Sequence, residues 1–368
     1  MQQRRSQQIP FRNITIVGVG LIGGSLALAV KQRFPSVLIT GVDTVKVLRR
    51  AVQRKAIDVA EQSLRRGVSG ADLVILSTPV KHILQSLPTV AKYCSTRTIV
   101  TDTGSVKGAI LKKARTLFPA GNFIGGHPMT GAEFSGIDAA HPLLFQNAIY
   151  LLTPSAEESG PNTKKLAQFF SALDARVVVL DPKIHDKVVA AVSHVPQLAA
   201  VALMNMAGSR HPKHLGLAAG GFRDMTRIAS SRFDMWQDIL QANKHDIAEA
   251  LDIYISLLRR IARDIRTDPQ KLKNDFKSSR LLRSRIPRSM KGFLSPLVGL
   301  PVFVDDRPGQ LARLTALLAK AGLNVKDLEL LKVREGRGGT FLLSFDSRPS
   351  AKKAQAILRK AKFQTGGL

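Results

Sequence analysis

The chain has 368 residues, 44% of them hydrophobic, enough apolar surface for a large core and two or three domains. Its one cysteine, Cys94, excludes an internal disulfide, argues against a zinc cluster or other metal site, and fits a reducing, cytoplasmic compartment. Lysine and arginine outnumber aspartate and glutamate by 55 to 27, a formal charge of +28 whose field attracts anions.

Residues 1–8 are polar and lack the apolar core of a signal peptide, so no secretory leader is expected. Residues 14–30 form the longest apolar run, but glycines divide it. A strand over 14–17 breaks into Gly18-x-Gly20-x-x-Gly23 and resumes as a helix through Leu26 to Val30. Gly18 permits a tight turn, Gly20 lets a pyrophosphate approach the backbone, and Gly23 lets helix and strand pack closely. The N–H groups of Leu21, Ile22 and Gly23 then face the phosphates. A second strand over 37–43 ends in Asp43, an acid that accepts hydrogen bonds from ribose hydroxyls and repels a 2′-phosphate. The expected cofactor is NAD, and this motif excludes a membrane reading of the run.

Further strands are predicted over 71–77, 97–102, 122–126, 148–152 and 176–180, with helices between them. Short continuous apolar strands of this kind predict a parallel, doubly wound, Rossmann-type sheet over residues 13–181. Ligands on such sheets lie beyond the carboxyl ends of the strands. Ser77, Thr78 and Pro79, which end the third of these strands, are therefore assigned to the cofactor. Ser105, after the next strand, is either a hydrogen-bond donor to a substrate hydroxyl or a helix N-cap. Lys107 is either an anion anchor or an exposed helix start. His127 is expected just past the carboxyl end of 122–126, where neutral imidazole can accept a hydroxyl proton.

After Asp181-Pro182 the pattern turns helical over 185–208, 232–265 and 271–282, predicting an all-helical domain over residues 182–292. Its apolar faces exceed what one small bundle needs, which predicts dimerisation. His194 precedes Pro196, which removes a helix hydrogen bond there. Arg223 and Arg227, four apart, are expected on one helix face, where they could clamp carboxylates. The basic stretch 259–291 has few aromatics and reads as a solvated helix face and linker, so neither nucleic acid nor membrane is an expected partner. Residues 299–368 read as strand–helix–strand–strand–helix, a small α+β unit.

In combination these motifs resemble the prephenate dehydrogenase family. They are the glycine turn, Asp102-x-Gly104-Ser105, Gly126-His127-Pro128-Met129-x-Gly131-x-Glu133, Ser193-His194-x-Pro196, and Phe222-Arg223-Asp224-Met225-Thr226-Arg227, followed by Met235-Trp236. The C-terminal unit resembles an ACT domain, with Asp306-Arg307-Pro308-Gly309 and Gly322-Leu323-Asn324 matching that family's amino-acid-binding loop.

The resemblance implies oxidative decarboxylation of prephenate to 4-hydroxyphenylpyruvate. His127 would accept the ring hydroxyl proton and Ser105 would share that hydroxyl. Arg227 would hold the ring carboxylate, with Arg223 beside it where many relatives carry lysine. His194, Glu133 and Trp236 would line the pocket, Trp236 from a second subunit. Many prephenate-specific members carry histidine where this chain has Gln197, which leaves arogenate open as the alternative substrate. Asp306, Gly309 and Asn324 would bind tyrosine as effector. A non-catalytic amino-acid sensor is the remaining alternative.

Overall fold

The computed structural model describes residues 10–119, 121–131, 135–154, 160–286, 297–334 and 338–368. They form two compact units, residues 1–274 and 275–368.

In the first unit, strands β1 (Asn13–Val17), β2 (Leu38–Val42), β3 (Val59–Glu61), β4 (Leu73–Leu76), β5 (Ile99–Asp102), β6 (Phe123–Pro128), β7 (Ile149–Pro154) and β8 (Arg176–Val179) alternate with helices. The helices are α1 (Leu21–Arg33), α2 (Val45–Gln53), α3 (Leu64–Val68), α4 (Val80–Tyr93), α5 (Gly108–Leu117) and α6 (Pro161–Ala172). Among the described residues the strands build one eight-stranded sheet in the order β3-β2-β1-β4-β5-β6-β7-β8. The apolar run over 14–30 lies in its core as β1, the glycine turn and α1. Ile14, Ile16, Leu26 and Val30 are buried in the cluster on one face, and the other face buries Leu76, Ile83, Val100 and Ile110 under α4 and α5.

Two features depart from the expected parallel sheet. β3 is too short and too exposed to carry an apolar pattern. β6 and β7 pair antiparallel, so β7 and β8 run against the rest. The links explain the reversal: the first five crossovers each contain a helix long or short, whereas the described residues between β6 and β7 hold only a 3-10 turn, Ile137–Ala139. A parallel return needs a crossover, usually a helix, whereas an antiparallel one does not.

Six helices follow: α7 (Pro182–Val189), α8 (Val195–Arg210), α9 (Gly220–Thr226), α10 (Phe233–Ala242), α11 (Lys244–Thr267) and α12 (Lys273–Arg285). Pro196 cannot donate to the carbonyl one turn back, and the ladder slips instead to a π-helical stretch, Ala190–His194, with the Val195 N–H on the Ala190 carbonyl. The run Pro182–Arg210 is long and apolar enough to cross a bilayer by length and composition, with 33% of its apolar window buried. The expected single helix over 232–265 breaks at Asn243, whose buried side chain is drawn into the fold. Ile239 and Ala242 of α10 pack against the α4–α5 face of the sheet, and Asp238 accepts the Lys81 N–H at the start of α4, 3.0 Å.

The second unit holds β9 (Val298–Val304), α13 (Gln310–Lys320), β10 (Asp327–Arg334), β11 (Gly338–Phe345), α14 (Arg348–Lys360) and β12 (Gln364–Thr365). Among the described residues its sheet is four-stranded, β10-β11-β9-β12 and antiparallel throughout, one short strand more than the sequence pattern predicts. Leu300, Val302, Leu314, Leu343 and Leu358 form its core.

Candidate active site

β1, β4, β5 and β6 are parallel neighbours, so their carboxyl ends share one edge of the sheet. At the first end the three glycines divide their work as expected. Gly18 sits at φ +89°, and a Cβ there would meet the Ser77 carbonyl and Thr78 Cγ2. A Cβ on Gly23 would collide with the Gly18 carbonyl and Ile16, so glycine is what brings α1 onto β1. Above Gly20 there is open space to 4 Å, where a ligand can touch the backbone. The first-turn N–H groups of α1, at Leu21, Ile22 and Gly23, have no carbonyl partner inside the helix and point to that space. Asp43 braces the turn: its Oδ2 accepts the Val19 N–H, 2.8 Å, and its Oδ1 the Thr44 N–H, 2.7 Å. Each oxygen keeps a second lone pair for a ribose hydroxyl.

Beyond β4, Ser77 Oγ accepts from Thr103 Oγ1, 3.0 Å, and Pro79 caps α4. Among the described residues the buried Thr78 hydroxyl has no hydrogen-bond partner, a group that a bound ligand can satisfy. The open backbone over Gly20, the orphaned Thr78 hydroxyl and the acid at Asp43 fit a dinucleotide.

At the end of β5, Asp102 shapes the next loop. Its Oδ2 accepts the Gly104 N–H, 2.8 Å, and its Oδ1 accepts the Gly126 N–H, 3.2 Å, one residue before His127. The carboxylate thus fixes Ser105, half-buried three residues beyond the strand, relative to β6. Ser105 is not a helix cap, because Lys107 occupies that place and the side chain of Asp186 caps α5. Lys107 is neither an anion anchor nor exposed. It is fully buried, with Nζ bonded to Asp102 and to the Gly126 carbonyl, 2.8 Å. Burial pushes its ammonium down from the ordinary lysine range, against the pull of Asp102.

His127 lies within β6, paired with Leu151 of β7, and not beyond the strand's end. The antiparallel β7 extends the ladder past the point where a parallel neighbour would have released the chain. The ring is buried, and Nδ1 is 2.9 Å from His185 Nε2. His185 Nδ1 is in turn 2.7 Å from Asp186 Oδ1. Among the described residues His127 Nε2 makes no hydrogen bond. Burial, with the Lys107 charge and any charge His185 or His194 carries, pushes the His127 pKa well below that of free imidazole, so it is neutral at pH 7.

His194, at the end of the π-helical stretch, is buried under the edge of Trp236, ring centroids 5.8 Å apart. Its Nδ1 is 3.3 Å from Asn243 Nδ2, which also donates to the Asp186 carbonyl, 2.9 Å. Burial lowers its pKa to about 4. Trp236 therefore meets His194 of its own chain, where the resemblance implied a partner's pocket. Gln197 is buried and its amide N–H donates to the Ile228 carbonyl, 2.9 Å. That bond ties α8 to the 3-10 turn Arg227–Ser230. Arg223 and Arg227 do not share one helix: α9 ends at Thr226 and Arg227 opens the turn, both arginines being exposed. Glu133 lies outside the described residues.

In the second unit a cavity of about 190 Å³ is lined by Asp306, Arg307, Gln310 and Phe341 among others. Gly309, at φ +83°, caps α13 beside it, whereas Asn324 is exposed and not part of the lining.

Sequence reasoning missed His185, Asp186 and Asn243. An adjacent His-Asp pair three residues after Pro182 is the one visible signal for the first two. Nothing local marks Asn243.

Residues 26–179 match the family described as prephenate dehydrogenase, nucleotide-binding domain, and residues 181–278 match prephenate dehydrogenase, dimerization domain. The prephenate dehydrogenase of Bacillus subtilis is 34% identical over 362 residues, covering 96% of this chain and 97% of its own. Among solved structures, Aquifex aeolicus prephenate dehydrogenase in complex with hydroxyphenyl propionate and NAD+ has a TM-score of 0.69 and 29% identity, over 76% of this chain and 100% of its own. Synechocystis arogenate dehydrogenase has a TM-score of 0.63 and 31% identity, over 74% and 99% respectively.

Proposed function

Because this chain belongs to the prephenate dehydrogenase family, we propose that it is the NAD-dependent enzyme converting prephenate to 4-hydroxyphenylpyruvate, with His127 as its base. The observation that carries this reading is the shared sheet edge. The glycine turn, Ser77 to Pro79, Ser105 and His127 come from four adjacent parallel strands and lie at one edge.

Bound NAD supplies the acceptor for the hydride that leaves the ring carbon. Gly18, Gly20, Leu21, Ile22 and Gly23 receive its pyrophosphate, Asp43 its ribose hydroxyls, and Ser77, Thr78 and Pro79 border it. His127 takes the proton of the ring hydroxyl at Nε2, and Ser105 holds the same oxygen. Arg227, with Arg223 nearby, binds the ring carboxylate, which leaves as carbon dioxide while its bonding pair enters the ring and the ring oxygen takes its proton back from His127 Nε2. Aromatisation drives that loss, so the protein chiefly orients the substrate. His194, neutral with Nδ1 turned to Asn243, offers an N–H at Nε2, and Trp236 borders the same pocket.

The Gln197 contact keeps arogenate as the second reading. With its N–H given to the Ile228 carbonyl, Gln197 presents a neutral oxygen, which suits an ammonium as well as histidine suits a carboxylate. NADH formation from prephenate and from arogenate, each with NAD or NADP, decides among these. Turnover of neither substrate would overturn the proposal.

Three domains are read over 13–181, 182–292 and 299–368. The helical one pairs with a second copy through apolar side chains left exposed in one chain, Val192, Met206 and Leu217 among them. The last is an ACT-like regulatory domain taking tyrosine near Asp306, Gly309 and Asn324, and its order of two βαβ-like halves supports this. Its cavity is below the roughly 300 Å³ at which single-chain ligand pockets begin, so binding of tyrosine needs a calorimetric test on the full chain. The single cysteine supports a soluble, cytoplasmic enzyme.

A further inference from the structure

We propose that His185 and Asp186 form an imidazole relay behind His127, in which His185 is a positioning residue that fixes the tautomer of the base and accepts the charge it gains. This rests on the reading of His127 as the proton acceptor.

The relay follows from a hydrogen-bond count. The Asp186 carboxylate is held by three donors: its Oδ1 faces the Lys107 N–H and His185 Nδ1, and its Oδ2 faces the Gly108 N–H. Burial opposes its charge, but the bonds from His185, Lys107 and Gly108 outweigh burial and hold the carboxyl below its ordinary range. An ionised carboxylate has no proton to offer, so the proton of this contact sits on His185 Nδ1. A neutral His185 then has its lone pair on Nε2. The 2.9 Å contact there requires a donor, and His127 Nδ1–H is the group present. The base is left with a bare Nε2, the nitrogen without a hydrogen-bond partner among the described residues.

When the substrate O–H bond breaks, a new N–H bond forms at His127 Nε2. The Nδ1 proton can then pass to His185 Nε2, which places the positive charge against Asp186. No atom or electron is gained from elsewhere, and reversal resets the pair. The direction is sensible because the other cation near His127, Lys107, repels a charge retained there. Among the described residues, Lys107 with its partner Asp102, Tyr150 on β7 and His194 are the remaining titratable groups around the pair.

The rival arrangement is a His185 imidazolium that donates from both nitrogens and leaves His127 protonated at Nε2, unable to act as base. The sign of one pH shift separates the two. Replacing His185 by leucine removes an acceptor that favours protonated His127 in the relay, but removes a repelling cation in the rival.

The experiment is the pH profile of kcat/KM for prephenate with full-length wild type, His185→Leu, His185→Gln and His127→Asn. A second measurement is the nitrogen spectrum of histidine-labelled wild type, which reads tautomers directly. For His185→Leu, kcat should fall roughly 10- to 100-fold, part of the 10²–10⁴ that a positioned base supplies. KM for NAD should hold, and the acid limb should move to lower pH. His185→Gln keeps an acceptor for His127 Nδ1–H, so it should recover part of kcat. The spectrum should show His127 protonated on Nδ1. An acid limb moving to higher pH, an unchanged kcat, or His127 protonated on Nε2 overturns the relay. If His185→Leu does not fold, the glutamine variant and the spectrum decide. Should His127→Asn retain full turnover, the base reading itself fails; should only the His185 variants be silent, the relay alone fails.

Discussion

Lys107→Met cuts the pair that holds β5 and β6 together beneath the site. Both Lys107 and Asp102 side chains are 0% exposed, so the variant strands a carboxylate with no water to solvate it. Removing one member of a buried pair typically costs about 3–5 kcal/mol. The Gly126 carbonyl also loses its donor, whereas the Gly104 and Gly126 N–H bonds to Asp102 survive. At roughly 2–4 °C per kcal/mol for a domain of this size, the melting point should fall by ~6–20 °C. Asp102→Asn should cost a similar amount by stranding the ammonium. In the double variant neither charge remains, so its loss should be smaller than the sum of the two by ~1–3 kcal/mol, the range for residues in direct contact. Urea unfolding followed by circular dichroism, with an unchanged m-value, measures all three. If the two single costs add within about 0.5 kcal/mol in the double variant, the pair is not a coupled unit and the reasoning fails.

Gly20→Ala should leave the melting point unchanged, since a Cβ meets nothing there, but weaken NAD binding at least tenfold by fluorescence titration; Gly23→Ala should itself destabilise, by ~1–3 kcal/mol, through the collision with Gly18. Asp43→Ala should relax the preference for NAD, read as the ratio of kcat/KM for NAD and NADP; a variant that still rejects NADP as strongly contradicts the role of Asp43. Arg227→Ala should chiefly raise KM for prephenate, and an unaltered KM means that the ring carboxylate binds elsewhere. His194 has a folded-state pKa of about 4 against 6.5 when unperturbed, and His127 is lowered as well. The folded state therefore binds fewer protons in that window, so stability is full above pH 6.5 and is lost as pH falls toward 4. Urea midpoints across this range should slope downward toward acid, and His194→Gln should flatten the slope.

The glycine turn shows how much of a site one segment can carry. Its three glycines, the strand before it and the acid after β2 are local, and each constrains backbone within a few residues of itself. The same holds for Ser105 and His127, which lie within three residues of a strand end that an apolar run betrays. Lys107 was misread for the converse reason. A lysine at a helix start is ordinarily solvated, and only the carboxylate and carbonyl brought by β5 and β6 make burial tolerable. Arg227 was placed on the helix of Arg223 because spacing alone cannot see that α9 stops at Thr226, where Gln197 holds the next turn.

Periodicity and glycine placement, which act through neighbouring residues, determined the doubly wound fold and the cofactor type. The partners of His127 depend on another kind of fact. His185 is 58 residues away in the chain, and Asn243 meets His194 across 49. Those meetings exist because α7 docks its Asp186 on the start of α5 and because α10 and α11 break at Asn243. Which titratable groups converge is fixed by how helices seat on the strand edge, and no local pattern encodes that. The sequence set His127 near a strand end, and only the tertiary structure brought His185 to its Nδ1.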